Sequence, residues 1–184
     1  MSPDTSAALQ KWVGRTREVE DIVTPRLLAS FEAMLGPHAM QAAEAPPGLH
    51  WCLAPDIANA RELGPDGHPA KGGFLPPVPL PRRMWAGSDV RFMAPIRSGD
   101  TIRRRSTLTA IEEKRGRTGP LIFVTVRHHV ANDVGPVIEE DQTLVYRAAE
   151  AAAARLTLPA VRFWPHRTSA RLTWIRCCFF VIPR

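Results

Sequence analysis

The chain has 184 residues, of which 45% are hydrophobic and 23% are charged. This balance is typical of a folded domain with a buried core and excludes wholesale disorder. Three cysteines are too few for a disulfide scaffold, and no apolar stretch approaches the roughly 20 residues that cross a membrane. The N-terminus lacks the basic patch and apolar segment of a secretory signal, so we expect a cytoplasmic protein with no membrane partner.

The formal net charge of +6 comes mostly from the C-terminal segment. Residues 162–184 contain five arginines and no acidic residue, and without those five the net charge would be +1. Nucleic-acid binding needs basic residues concentrated on one folded face. The distribution of charge therefore predicts no nucleic-acid partner.

A helix is predicted over residues 25–35. Thr24 supplies a capping hydroxyl and Pro25 suits the first helical position, while Gly36 is typical of a helix end. Apolar residues recur at intervals of three and four and predict one buried stripe: Leu27, Leu28, Phe31, Met34 and Leu35.

The next segment is rich in proline, with nine of the 18 prolines lying between Pro46 and Pro81. Such density allows little regular structure, although the apolar run 49–53 predicts a short strand and places Cys52 in the core. The segment also contains large apolar residues, which predict an ordered covering loop that packs onto the rest of the domain: Trp51, Phe74, Leu75, Val78, Leu80, Met84 and Trp85.

From Ser88 onward the pattern predicts an antiparallel meander. Strands are expected over 90–94, 102–111, 121–130 and 137–146, because these segments are β-branched or alternate polar with apolar residues. Turn residues separate them. Long strands after one apolar helix predict an α+β fold, an antiparallel sheet curled around a single helix.

No complete active site is evident from residue chemistry. His128 and His129 are neighbours on a predicted strand, so they point to opposite faces and cannot share a ligand. Asp66 and His68 are possible acid–base groups, but residues two apart in a turn rarely converge on one atom. Cys177 and Cys178 have no partners at zinc spacing. We therefore predict no catalytic residue, no metal site and no cofactor in this chain.

Several long motifs resemble the N-terminal domain of MaoC-like dehydratases, the type found in mesaconyl-CoA hydratases and hydroxyacyl-thioester dehydratases. The most specific motif is residues 62–87, ELGPDGHPAKGGFLPPVPLPRRMWAG. Shorter matches lie at 11–15, 96–100, 114–119, 139–140 and 145–147, so that the resemblance covers about residues 10–148. It implies a hotdog fold, in which the sheet wraps the helix at 25–35.

The resemblance also implies a function. Two hotdog halves normally form one such enzyme, and the C-terminal half carries an Asp/His motif that adds water to an enoyl thioester. Asp66 and His68 match neither the spacing nor the place of that motif. We therefore expect half of a hydratase or dehydratase of acyl-CoA or acyl-carrier-protein thioesters, whose partner is a C-terminal MaoC-like half or a second copy. The alternative is a non-catalytic hotdog module that binds an acyl thioester or dimerises.

Substrate-binding residues are predicted on the covering loop, which should form the wall of the pocket. Phe74, Leu75, Met84 and Trp85 offer apolar surface for an acyl group. Arg82 and Arg83 offer guanidinium groups to a substrate carboxylate or a CoA phosphate, the alternative being that both arginines are solvated.

The remaining residues predict a linker and a tail. The hotdog domain is expected over 1–148, an alanine-rich linker over 149–161 and an irregular or disordered tail over 162–184. One choice of codons for residues 173–184, read in a shifted frame, encodes Pro-Val-Leu-Leu-Phe-Arg-Tyr-Ser-Ala, which resembles the family's linker into its catalytic half. Our hypothesis is that the tail is an out-of-frame sequence and the chain is truncated.

Overall fold

The computed structural model describes residues 3–36, 44–64, 66–117 and 119–149. The predicted linker and tail lie outside these ranges, apart from residue 149. Two helices and five strands follow in chain order: α1 Pro3–Gln10, β1 Thr16–Ile22, α2 Pro25–Leu35, β2 Arg82–Phe92, β3 Thr101–Gly116, β4 Gly119–Ala131 and β5 Pro136–Arg147.

The five strands form one antiparallel sheet in the order β1-β3-β4-β5-β2. This architecture confirms the predicted α+β class and the hotdog fold, an antiparallel sheet packed against one helix. The last three predicted strands are present and longer than expected. β1 was not predicted, and β2 begins at Arg82 rather than at Val90.

Helix α2 begins and ends where the sequence predicts. The Thr24 hydroxyl accepts a hydrogen bond from the Leu27 N–H at 3.2 Å, and Pro25 occupies the first turn. The buried stripe is narrower than predicted, because Leu28 is buried whereas Met34 is 64% exposed. The helix therefore covers part of the sheet, not all of it.

The core consists of two clusters on one face of the sheet, which we call the inner face. The first cluster packs α2 and Val23, two residues before the helix, against one end of the face, where Leu28 and Val23 contact Ile102, Val130 and Ile138. The second cluster lies at the other end, where α1 and the covering loop cover the sheet in place of α2. Its buried members are Leu9, Val78, Leu108, Ile111, Ile122, Val124, Val126 and Tyr146.

Two predictions about residues 49–53 are wrong. Leu49–Cys52 is a 3₁₀ turn that follows Gly48 in the left-handed region at φ 97°, not a strand. The turn directs Leu49 and His50 inward, whereas Cys52 is exposed and does not belong to the core.

The covering loop, residues 46–81, packs onto the rest of the domain, as the sequence predicts. Pro76 and Val78 are fully buried, and the Lys71 ammonium donates to the carbonyls of Val78 and Leu80 at 2.7 and 2.9 Å.

No helix in the described ranges is long and apolar enough to cross a membrane.

Candidate functional site

A row of polar side chains crosses the inner face between the two apolar clusters. Arg17 of β1 is the register partner of Ser106, Ser106 of His128, and His128 of Glu140. Cross-strand partners place their side chains on the same face. These four residues, which we call the polar row, therefore follow one line across β1, β3, β4 and β5.

Glu140 is the buried charge of the polar row, with 3% exposure. Its carboxylate accepts hydrogen bonds from the Trp51 indole N–H at 3.1 and 3.2 Å and from the Ser88 hydroxyl. His50 Nε2 lies 3.4 Å from Glu140 Oε2. Burial raises the pKa of Glu140, but contacts with His50, Ser88 and Trp51 lower it by more, so that the pKa lies below its ordinary value.

His128 and His129 point to opposite faces, as the sequence predicts. His128 is half-buried, with Nδ1 2.8 Å from the Ser106 hydroxyl, and His129 is exposed. Burial lowers the pKa of His128 more than the Glu140 charge raises it. The imidazole is therefore held mainly in its neutral form near pH 7.

The polar row and its neighbours hold the covering loop against the sheet. Arg104 donates to the carbonyls of Leu53 and Ala54 at 3.2 and 2.9 Å, and the Ala54 N–H donates to Asp21 at 2.7 Å. Arg17 forms an ion pair of 2.6 Å with Asp56 of the loop. These groups position a loop over the inner face.

Phe74 and Leu75, two of the predicted binding residues, lie on the covering loop. Both are partly buried and pack against the second core cluster. The Arg17 guanidinium lies 4.8 Å from the centroid of the Phe74 ring, which joins this part of the covering loop to the polar row.

The other four predicted binding residues belong to strand β2 and not to the covering loop, which corrects their assignment. Neighbours on a strand alternate between faces, so Arg82 and Arg83 do not converge on one group. Arg83 pairs in register with the buried Tyr146 on the inner face, whereas Arg82 pairs with Arg147 on the outer face. Met84 and Trp85 are 43% and 54% exposed.

Trp85 and Trp51 form an exposed aromatic pair beside β2. Their ring centroids are 5.3 Å apart with an interplanar angle of 70°, a favourable edge-to-face geometry. The Trp85 indole donates to the Ser88 hydroxyl at 3.1 Å, and Ser88 donates to Glu140. Glu140 thus orients both tryptophans, Trp51 directly and Trp85 through Ser88.

Asp66 and His68 lie in an exposed turn, where His68 Nδ1 is 3.9 Å from Asp66 Oδ2 and 3.1 Å from the Asp66 carbonyl oxygen. Asp66 Oδ1 accepts from the His68 N–H at 3.3 Å, and Asp66 Oδ2 lies 3.1 Å from Arg83 Nη2. Slight desolvation raises the pKa of Asp66, but the His68 N–H and the Arg83 charge lower it below its ordinary value. In the described part of the chain, no three metal-ligating side chains lie close enough to hold an ion.

The outer face carries an open depression of about 250 Å³ with charged walls. Four of its charged residues form two ion pairs: Arg127 contacts Asp141 through two hydrogen bonds of 2.7 and 2.6 Å, and Arg91 lies 3.3 Å from Glu139. This pairing indicates a solvated face.

The sequence reasoning missed Glu140 and His50 as important residues. One signal was present for Glu140: the alternation from Ile138 to Leu144 places it on the inner face, where a charge requires partners. His50 had no comparable local signal, because the turn that buries it was read as a strand.

Comparison with known proteins identifies the family. The model of the family hydroxyacyl-thioester dehydratase type 2 matches residues 48–173. The chain therefore belongs to this family of MaoC-like dehydratases, as the sequence motifs indicate. The match extends past residue 148, where the sequence predicts that the domain ends, and that boundary stays a prediction.

Individual proteins of known sequence or structure are similar to this chain. Mesaconyl-C(4)-CoA hydratase from Chloroflexus aurantiacus is 41% identical over 146 residues, which are 78% of this chain and 52% of that protein. The chain thus spans about half the length of this relative. A chain of the ChsH1–ChsH2 complex from Mycobacterium tuberculosis has a TM-score of 0.60 at 12% identity, covering 81% of this chain and 99% of that one, and shows the same fold. The MaoC-like dehydratase from Rhodospirillum rubrum is 18% identical with a TM-score of 0.43, over 74% of this chain and 93% of that one.

Proposed function

We propose that this chain is the non-catalytic half of a hydratase or dehydratase of acyl-CoA or acyl-carrier-protein thioesters, similar to mesaconyl-CoA hydratase. The observation that carries the proposal is the 41% identity over 52% of a mesaconyl-C(4)-CoA hydratase. A hotdog half with an Asp/His motif, encoded separately or in a shifted frame downstream, supplies the acid–base groups. The complex works in the cytoplasm and needs no metal or cofactor.

An unpaired sheet edge supports a partner half. β1 and β2 are the two edge strands, and within the described ranges no strand pairs with the outer side of β2. An unpaired strand edge offers backbone N–H and C=O groups to a second chain. The exposed Met84 and Trp85 on this strand would become buried against the partner, which is either the catalytic half or a second copy.

Hydration of mesaconyl-CoA tests the proposal. The chain alone should hydrate it at least about 10²-fold more slowly than a mixture with an Asp/His hotdog half, because general acid–base groups commonly contribute 10² or more. The matched control is the same mixture with the Asp of the added half replaced by Asn, which should remain inactive. Rapid turnover by the chain alone, near the enzyme median of about 10 per second, would contradict the proposal.

A second candidate is a binding or dimerisation module without turnover. It is favoured by the burial of Glu140 and His50, which are 3% and 5% exposed. Because Glu140 binds Trp51 of the covering loop, these two groups serve the packing of the loop and do not face a substrate. The same mixing experiment separates the candidates. A hotdog half that binds the chain without producing hydration would favour the module.

The tail belongs to the same proposal. We infer that residues 162–184 are read out of frame and that the reading frame of the catalytic half is shifted. Sequencing the locus tests this inference. It fails if no shifted frame encodes the peptide Pro-Val-Leu-Leu-Phe-Arg-Tyr-Ser-Ala.

A further inference from the structure

Two buried polar atoms under the covering loop have no hydrogen bond of ordinary geometry among the described residues. They are Nε of Arg83, whose side chain is 9% exposed, and the hydroxyl of Tyr146, which is fully buried. Burial raises the pKa of Tyr146, and the Arg83 guanidinium, which lies beside this hydroxyl, lowers it by less. The two residues are register partners on β2 and β5 and share the inner face. Buried polar groups are seldom left unsatisfied, so this pair indicates a place where a ligand supplies acceptors.

Asp66 accepts one hydrogen bond from the guanidinium of Arg83. Its Oδ2 lies 3.1 Å from Arg83 Nη2, while its Oδ1 accepts from the His68 N–H. One carboxylate oxygen of Asp66 therefore binds within the turn, and the other contacts a single N–H donor of Arg83. A free carboxylate is able to accept from two adjacent guanidinium donors, which is the stronger arrangement.

Asp66 is placed so that it is able to leave. Its side chain is 30% exposed. The next residue of the turn is Gly67, at φ 74°, where an added Cβ atom would meet no atom within 4 Å. The Arg83 side chain, in contrast, is fixed by the strand and by burial. Solvent therefore reaches the Asp66 side of the ion pair, which gives a ligand carboxylate a direction of approach.

We propose that Arg83 and Tyr146 form a subsite for the free carboxylate of a dicarboxylic acyl thioester, and that Asp66 occupies this subsite in the unliganded protein. The ligand carboxylate displaces Asp66, accepts from Nη2 and Nε of Arg83, and receives a third hydrogen bond from the Tyr146 hydroxyl. This inference rests on the proposed function, because it assigns one end of the acyl group that the domain binds.

The surroundings favour a carboxylate on a short carbon chain over a CoA phosphate. Tyr146 belongs to the second core cluster, against which Phe74, Leu75, Leu80 and Leu144 pack. Apolar walls suit carbon atoms and disfavour a dianion with a large hydration shell. The group that already occupies the subsite is itself a carboxylate.

Binding of two matched thioesters to the full chain tests the inference. Mesaconyl-C4-CoA carries the free carboxylate, and 3-methylcrotonyl-CoA has a methyl group in its place. By titration calorimetry the wild-type chain should bind the first about tenfold more tightly, the effect of one charge-assisted contact. Arg83→Gln should abolish the difference, and Tyr146→Phe should reduce it a few-fold.

Asp66→Asn gives the decisive result, because it weakens the internal competitor, lies on an exposed turn and keeps a side-chain oxygen that is able to accept from the His68 N–H. Affinity for mesaconyl-C4-CoA should rise several-fold, and affinity for 3-methylcrotonyl-CoA should not change. Arg91→Gln, on the outer face of β2, is the control and should alter neither. Equal wild-type affinities, or weaker binding of mesaconyl-C4-CoA to Asp66→Asn, would overturn the subsite alone. Binding of neither thioester would overturn the proposed function together with it.

Discussion

Glu140 determines how the inner face is organised at the level of single residues. It is buried, yet it accepts hydrogen bonds from Trp51 and Ser88 and lies 3.4 Å from His50. These contacts lower its pKa more than burial raises it. Glu140 is therefore ionised in the folded protein at neutral pH. It orients the exposed pair Trp51 and Trp85, the first directly and the second through Ser88.

Replacing Glu140 by Gln should destabilise the domain by about 1–3 kcal/mol at pH 7, because the charge is lost and one of the two acceptor oxygens becomes an NH2 donor facing other donors. Urea unfolding measures the loss, and tryptophan fluorescence of the folded state should change as well, since Trp51 donates to both carboxylate oxygens. The neighbouring Glu139→Gln is the matched control. Glu139 pairs with Arg91 on the exposed outer face, so its loss should cost less than about 0.5 kcal/mol.

The difference between wild type and Glu140→Gln should depend on pH. The folded pKa of Glu140 is lowered, so its stabilisation is present above the unfolded value of about 4.3 and is lost as pH falls through the folded pKa. Urea midpoints measured from pH 7 to pH 3 should therefore converge at the acid end. His128, whose folded pKa is also lowered, weakens both proteins as pH falls. A difference that grows on acidification would contradict the assignment of Glu140 as an ionised group.

At the level of elements, local patterns predict α2 and the three long strands well. Thr24 and Pro25 determine the helix start by local hydrogen bonding, and the alternation in β3 to β5 follows from one buried face. β1 escaped detection because its outward residues, Glu18 and Glu20, are charged and pair with arginines of β3. The bulge between Trp85 and Gly87 breaks the alternation of β2 and hides its first half.

The candidate site was less accessible to sequence reasoning than the fold. The polar row depends on the register of four strands, which links Arg17 to Glu140 across 123 positions of sequence numbering. No local pattern contains that register. The predicted Phe74 and Leu75 do lie on the inner face, since apolar residues in a proline-rich loop must pack against something.

The free edge of β2 should drive association. Met84→Lys places a charge on this edge, which is how natural sheets prevent pairing between edges, so we expect a shift from dimer toward monomer. Analytical ultracentrifugation over a concentration series measures the shift. Ile57→Lys is the control, because Ile57 is 99% exposed and lies on the covering loop, away from the strand. Equal effects of the two substitutions, or a monomeric wild type, would argue against β2 as the interface.

At the level of the whole molecule, the buried hydrophobic residues of the described ranges lie between Leu9 and Tyr146. Both core clusters, as described, consist of residues from this range. The tail itself contains apolar groups, Trp174-Ile175 and residues 179–182, that a folded domain would need to bury. Such groups promote aggregation when they are left in solvent.

Deleting residues 162–184 should therefore leave the fold unchanged and improve solubility. We expect the melting temperature to change by less than about 2 °C, which corresponds to less than about 1 kcal/mol for a domain of this size, and light scattering to decrease. A second truncation, removing residues 174–184 alone, tests whether the segment inside the family match contributes, because that match ends at residue 173. If both truncations scatter less light and melt alike, the apolar residues after 173 cause the aggregation. Loss of the folded circular dichroism spectrum in the longer truncation would show that residues 162–173 stabilise the domain, and the tail boundary at residue 162 would then be wrong.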